Sequence, residues 1–157
     1  MLCLREVVLA NPYYYPFKTY AEFANVDPLA PVIGYLAKID PNIKMGIQIL
    51  LTLPSFDWQG SAIELTKPKE PTTNAVTGAV TAAAPGPNAS LIQRKISFQG
   101  GKVAIRLAVA SNNAAVKTDP YLQNLAGTFG GFSLGEGNRF GFVGPGWGKD
   151  KLIKRFK

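Results

Sequence analysis

Two Asp-Pro pairs, Asp27-Pro28 and Asp119-Pro120, constrain this chain more than any other feature, because each opens a helix between stretches that read as strands. An acceptor side chain followed by proline suits a helix start: the carboxylate caps free N–H groups, and proline has no N–H to leave unpaired. After the first pair, Leu29, Val32, Ile33, Leu36 and Ile39 form one apolar stripe, which predicts helix one over 28–39. After the second, Tyr121, Leu122, Leu125 and Phe129 support helix two within 114–132, its regular part beginning at Pro120. Strand one is expected over 2–10. Strand two is expected over 44–53, where Met45, Ile47, Ile49, Leu51 and Leu53 alternate with mostly polar or small residues. Strand three, over 102–110, sets Val103, Ile105, Leu107 and Val109 against Lys102, Ala104, Arg106 and Ala108, and a short strand four spans 138–143.

Strand, helix, strand, twice over, is most economically an α+β fold: a ferredoxin-like split βαβ sandwich with two helices on one face of a four-stranded antiparallel sheet. The chain of 157 residues reads as a single domain, 1–157. Between strands two and three the pattern dissolves from Ser55 to Asn88 apart from Phe56 and Trp58, and 72–87 is rich in Thr, Ala, Gly and Pro. Such a run buries too little to offset its ordering entropy, so 65–90 is expected to be a flexible insertion between strands two and three. Leu91 to Ile96 reads as a short helical or turn segment, and 144–157 as a Gly-rich turn followed by a basic tail.

The absence of histidine and the single cysteine exclude a His-based catalytic triad, a Cys/His zinc site and an internal disulfide within this chain. Cys3 is expected to be a small buried side chain, since no base stands ready to activate it. Gly144-Pro145-Gly146-Trp147-Gly148-Lys149-Asp150 is not a phosphate loop, having Val143 where the first glycine belongs and Asp150 where a magnesium-binding hydroxyl belongs. Of the loop carboxylates Asp27, Asp40, Asp57 and Asp119, three precede proline, and capping accounts for them without catalysis. Nothing here implies an enzyme, a cofactor or a metal.

The net charge of +7 is uneven: residues 1–66 carry −2, residues 67–111 carry +5 and residues 112–157 carry +4. Arg94, Lys95, Lys102, Arg106, Lys151, Lys154 and Arg155 are therefore the candidate contacts for an anionic partner. Tyr13, Tyr14, Tyr15 and Phe17 form an aromatic loop and are the candidate protein contacts. No run of about 18 uncharged apolar residues is present, and Arg5 and Glu6 interrupt the first apolar run, so neither a spanning helix nor a signal peptide is expected. That places the chain in the cytoplasm, or at the inner face of the membrane through its partners.

Several stretches resemble a known family: 16–23 (PFKTYAEF) followed by Val26-Asp27-Pro28-Leu29-Ala30, Gly46-Ile47-Gln48-Ile49-Leu50, Ile92-Gln93-Arg94-Lys95-Ile96-Ser97, the strand Val103 to Ala110, Phe129 to Phe132, and Asn138-Arg139-Phe140. Together they are similar to an uncharacterised domain of candidate-phylum bacteria that is preceded by membrane helices and followed by a conjugation-type, type IV secretion-like P-loop ATPase. The Thr/Ala/Pro run replaces a region often charged and helical in that family, and the flanking membrane helices and ATPase are not in this sequence. The resemblance implies a non-enzymatic accessory or scaffold domain of a translocation apparatus. An exposed sheet face and the aromatic loop would dock on the ATPase or on a sister copy. The alternative is a ferredoxin-like nucleic-acid-binding module using the basic second half.

Overall fold

In the computed structural model, which describes residues 2–54, 56–68, 71–73, 80–81, 85–86 and 88–143, the alternating runs form one antiparallel sheet. Its strands are β1 (Leu2–Leu9), β2 (Ile43–Thr52), β5 (Lys102–Ser111) and β6 (Phe140–Val143), in the order β2-β5-β1-β6. A separate two-residue ladder joins β3 (Thr72–Thr73) to β4 (Val80–Thr81). β2 pairs with β5 without a bulge from Ile43↔Ser111 to Thr52↔Lys102. β1 pairs with β5 from Leu2↔Ala110 to Val7↔Ile105, and β6 closes the far edge from Glu6↔Val143 to Leu9↔Phe140. The helices are α1 (Ala30–Leu36), α2 (Trp58–Glu64), α3 (Ala89–Ile96) and α4 (Asp119–Gly127), so the chain is α+β.

Because side chains alternate along a strand, the register divides the sheet into two faces. Ile43, Met45 and Ile47 on β2 share a face with Leu107, Val109 and Ser111 on β5. The principal core forms there, where Leu107 and Val109 meet Val32 of α1 and Leu122, Leu125 and Phe129 from α4 and the 3-10 turn Thr128–Phe132. Leu107, Val109, Leu122 and Leu125 have no exposed surface. The Tyr35 hydroxyl donates to Tyr121 O at 3.0 Å and ties α1 to α4. On the other face, Leu4 and Arg106 are buried, and Arg106 donates to Gln48 Oε1 at 3.1 Å.

Both Asp-Pro helices are shorter than the sequence suggests. Asp27 turns the chain rather than capping a helix, its carboxylate accepting from the Leu29 amide at 2.8 Å, and α1 begins only at Ala30. Asp119 lies inside the first turn of α4, and its carboxylate is drawn instead to Arg5 at 3.0 Å and to Gln123 at 2.8 Å. β6 begins at Phe140 rather than at Asn138, whose side chain is committed to the neighbouring loop.

A further expectation is overturned. The stretch after Ser55 is not patternless, because α2 occupies Trp58–Glu64, with Asp57 accepting from the Gly60 amide at 2.9 Å as its N-cap. Its buried apolar residues are only the pair Trp58 and Ala62, one turn apart, Ile63 being exposed, and the Gly60 and Ser61 between them are weak helix formers. These two residues and Ala89 and Ile92 of α3 are buried where α2 packs on α3. Gln59 Nε2 donates to Ile96 O at 2.8 Å and to Phe98 O at 3.2 Å, fastening α2 to the end of α3.

Within 65–90, Thr66 and Ala89 are buried, and residues 69–70, 74–79, 82–84 and 87 lie outside the described residues, as does the whole stretch 144–157. Gly100 leads into β5, and a Cβ there would stand 2.5 Å from the Trp58 ring. Gly100→Ala should therefore destabilise the fold by about 1–3 kcal/mol, the usual cost of overpacking, when unfolding is followed by circular dichroism in urea.

Candidate functional site

The helical layer is much shorter than the sheet it covers. α1 has seven residues and α4 nine, spanning about 10 and 14 Å, whereas the ten-residue β2 and β5 each run about 33 Å. On the same face as the core, the far ends of the strands therefore lie bare. Leu51 is 73% exposed, Ile49 62% and Val103, opposite Leu51, 51%. Leu9, which ends β1 at the same end of the sheet, is also exposed, and Leu53 beyond β2 is 88% exposed. Aliphatic side chains of one kind are thus buried at one end of the sheet and solvated at the other.

Two loops border this end, one leaving β1 and one leaving β2. They meet through Tyr13 and Phe56, whose rings are 5.7 Å apart and edge to face. Tyr13 and Phe56 are both exposed. Tyr14 and Tyr15 are half-buried and stack in series behind Tyr13, with centroids 5.5 and 4.9 Å apart. Phe17 turns inward onto Phe140 at 4.5 Å and belongs to the aromatic packing around Phe129 and Phe132. Of the four aromatic candidates, only Tyr13 presents an exposed ring beside the apolar end.

The loop is held by Asn138, a fully buried residue that the sequence does not single out. Its Nδ2 donates to Asn11 O and Pro12 O, each at 3.0 Å, while its Oδ1 accepts from the amides of Asn11 at 3.1 Å and Arg139 at 2.9 Å. Its own amide donates to Pro16 O at 2.7 Å. Side chain and backbone of this one residue together thereby tie the chain on both sides of the tyrosines, and the buried amide is satisfied, as buried polar groups require.

The basic candidates among the described residues do not converge. Arg94 and Lys95 lie on α3. Arg94 bridges to Glu22 at 3.1 Å, and Lys95 lies over the Phe17 ring at 5.9 Å, where burial holds its pKa below the ordinary lysine value. Glu22 is in turn held below the usual carboxylate range by hydrogen bonds from the Thr19 amide and hydroxyl and then by Arg94. Lys102 and Arg106 belong to the opposite sheet face, Lys102 exposed and Arg106 buried. Lys151, Lys154 and Arg155 lie outside the described residues.

Cys3 is half-buried, its thiol 3.7 Å from Asp119, and burial first and that carboxylate second push its pKa up, which disfavours the thiolate. A polar recess lined by Pro41, Asn42, Lys44, Asn112 and Asn113 lies at the other end of the sheet. Among the described residues no group of three Cys, Asp or Glu side chains is placed to hold a metal ion, and no helix is long and apolar enough to cross a membrane. Comparison with protein-family models, with curated proteins and with solved structures finds no match.

Truncating the Asn138 side chain would remove four part-buried hydrogen bonds, to two carbonyls and two amides. Asn138→Ala should cost about 2–4 kcal/mol in urea denaturation, at the upper end for lost buried hydrogen bonds because several go at once. It should also release Tyr13 to Tyr15, read as faster proteolysis within 11–16.

Proposed function

We propose that this chain is a protein–protein assembly domain, an accessory or scaffold unit that works by packing rather than by catalysis. The observation that carries this reading is the bare apolar end of the sheet, where Ile49, Leu51, Leu53 and Val103 are all more than half exposed. Scattered apolar side chains on a surface need no explanation, but a contiguous group of aliphatics with Tyr13 and Phe56 at its rim is the kind of surface that marks an interface. Four antiparallel strands in the order β2-β5-β1-β6 support reading the fold as a ferredoxin-like split βαβ sandwich, with α2 and α3 in the insertion between its second and third strands.

The setting we propose is a type IV secretion-like translocation apparatus, with its P-loop ATPase as a partner. This rests on the resemblance of the stretches around Val26-Asp27-Pro28 and Val103 to Ala110. The cytoplasm, or the inner face of the membrane through such a partner, is the corresponding location. A nucleic-acid-binding role draws less support, because Arg94 and Lys95 lie on the helical side, Lys102 lies on the other, and Arg106 is buried. Among the described residues, the side chains that would have to neutralise adjacent phosphates do not share a surface.

Two titrations test this reading together. Titrated against a type IV secretion-like ATPase from the same genome, the chain should bind with an affinity that changes by less than about threefold between 0.1 and 0.5 M salt, as packing surfaces do. Labelled single- and double-stranded DNA should bind weakly, without sequence preference, and be released over the same range. Submicromolar DNA binding that persists at physiological ionic strength would contradict the assembly reading.

A further inference from the structure

Within that reading, which this step rests on, the identity of one partner follows from the free edge of β2. We infer that β2 is the docking edge for a second copy of this chain, two β2 strands pairing antiparallel about a two-fold axis at Gln48 to join two four-stranded sheets into one of eight.

The two edges of the sheet differ in a telling way. β6, at one edge, is four residues long and offers little backbone to another chain. β2, at the other, runs ten residues in unbroken register and pairs with no further strand among the described residues. Proteins blunt long edges with lysines, prolines, bulges or inward charges, since bare N–H and C=O groups template further pairing. β2 carries none of these except Lys44, near its start. Its outer half is apolar and open, with Ile49, Leu50 and Leu51 all exposed.

Gly46 is the second, independent observation. Glycine within a strand weakens it and usually marks a bulge, a bend or the close approach of another backbone. The register at Gly46 is unbroken, and a Cβ there would meet nothing within 4 Å. No contact inside the described fold calls for this glycine, whereas a chain arriving from outside would.

A two-fold at Gln48 makes β2 complementary to itself. Residues facing one another across the new ladder would be Ile47 with Ile49 and Met45 with Leu51 on the helical side, and Gly46 with Leu50 and Lys44 with Thr52 on the other. Every apolar side chain meets an apolar one or the open glycine, and the two Lys44 ammonium groups stand opposite threonines rather than each other. Shifting the axis by one residue towards the strand start sets Lys44 against Leu50, and shifting it the other way carries Lys44 past the end of the strand. Across the new ladder, the exposed Ile49, Leu50 and Leu51 of each copy would pack against the side chains opposite them, taking apolar surface of the edge strand out of water. A second copy supplies this surface by symmetry, as most soluble oligomers do.

Sedimentation velocity on the full chain from about 2 to 500 μM, at 0.15 and 0.5 M salt, tests the proposal. The wild type should pass from monomer to dimer within that range and do so at both salt concentrations. Ile49→Lys/Leu51→Lys places charges at exposed positions that a monomer tolerates, so its melting temperature when dilute should be unchanged while self-association weakens by about 100-fold or more. Gly46→Val should act with opposite signs on two readouts, raising the melting temperature of the dilute monomer through its β-propensity and weakening the dimer by filling the space that Leu50 of the second copy would take. A wild type that remains monomeric at 500 μM, or variants that dimerise as tightly as the wild type, would overturn the dimer. ATPase binding by a chain that stays monomeric overturns the dimer and leaves the assembly reading intact; failure of both self-association and ATPase binding overturns both.

Discussion

The packing of α1 and α4 across only half the length of the central strands is the constraint on which the rest of this structure depends. Leu107 and Val109 of β5 are sealed by Val32, Leu122, Leu125 and Phe129, and burial of that order contributes about 1.5–3 kcal/mol per large aliphatic side chain. Four residues along the same strand, Val103 is half exposed. Nothing in the β-strand pattern distinguishes the two positions. The difference comes from where the helices lie: α1, α4 and the 3-10 turn that follows it pack over Leu107 and Val109 and leave Val103 uncovered.

The long connection between β2 and β5 completes the fold at the open end without closing it. Trp58 and Ala62 of α2 pack with Ala89 and Ile92 of α3, and Gly100 admits the indole ring where the chain turns into β5. This second packing unit uses its apolar residues on itself and leaves Ile49, Leu51 and Val103 uncovered. Polar ties then join the parts. Arg5 and Asp119 link the centre of the sheet to the start of α4, Arg94 and Glu22 link α3 to the loop after β1, and Asn138 holds both sides of the aromatic loop.

Strands were the most legible elements in the sequence, because the alternating runs at 44–53 and 102–110 return within a residue as β2 and β5, although the half-buried pattern expected of the first ends at Ile49. The apolar stripe from Leu29 was also legible as a helix, although only Val32 of its α1 residues is buried and Leu29, Ile33 and Leu36 are exposed. α2 was not legible, since a helix resting on one tryptophan and one alanine leaves no periodic trace. The tyrosine loop stood out by composition, but which rings face solvent depends on Asn138, whose contacts join residues more than 120 positions apart. The apolar end was hidden for a different reason: the sequence shows that Leu51 and Leu107 are alike, and only the helix boundaries show that one is covered. The positive charge of the second half was legible as a number and misleading as a surface, because the described part of it is divided between two sides of the sheet.

The central claim is therefore that equivalent leucines on one face of one sheet do different things, Leu107 holding the fold and Leu51 presenting a surface. Urea denaturation of Leu107→Ala and Leu51→Ala, compared with wild type at a concentration of about 1 μM, tests it most directly. Leu107→Ala should lose about 2–5 kcal/mol, as cavity-forming substitutions in a core do. Leu51→Ala should stay within about 0.5 kcal/mol of wild type, as exposed substitutions do. Comparable losses at the two positions would contradict the account, because they would mean that the far end of the sheet belongs to the core.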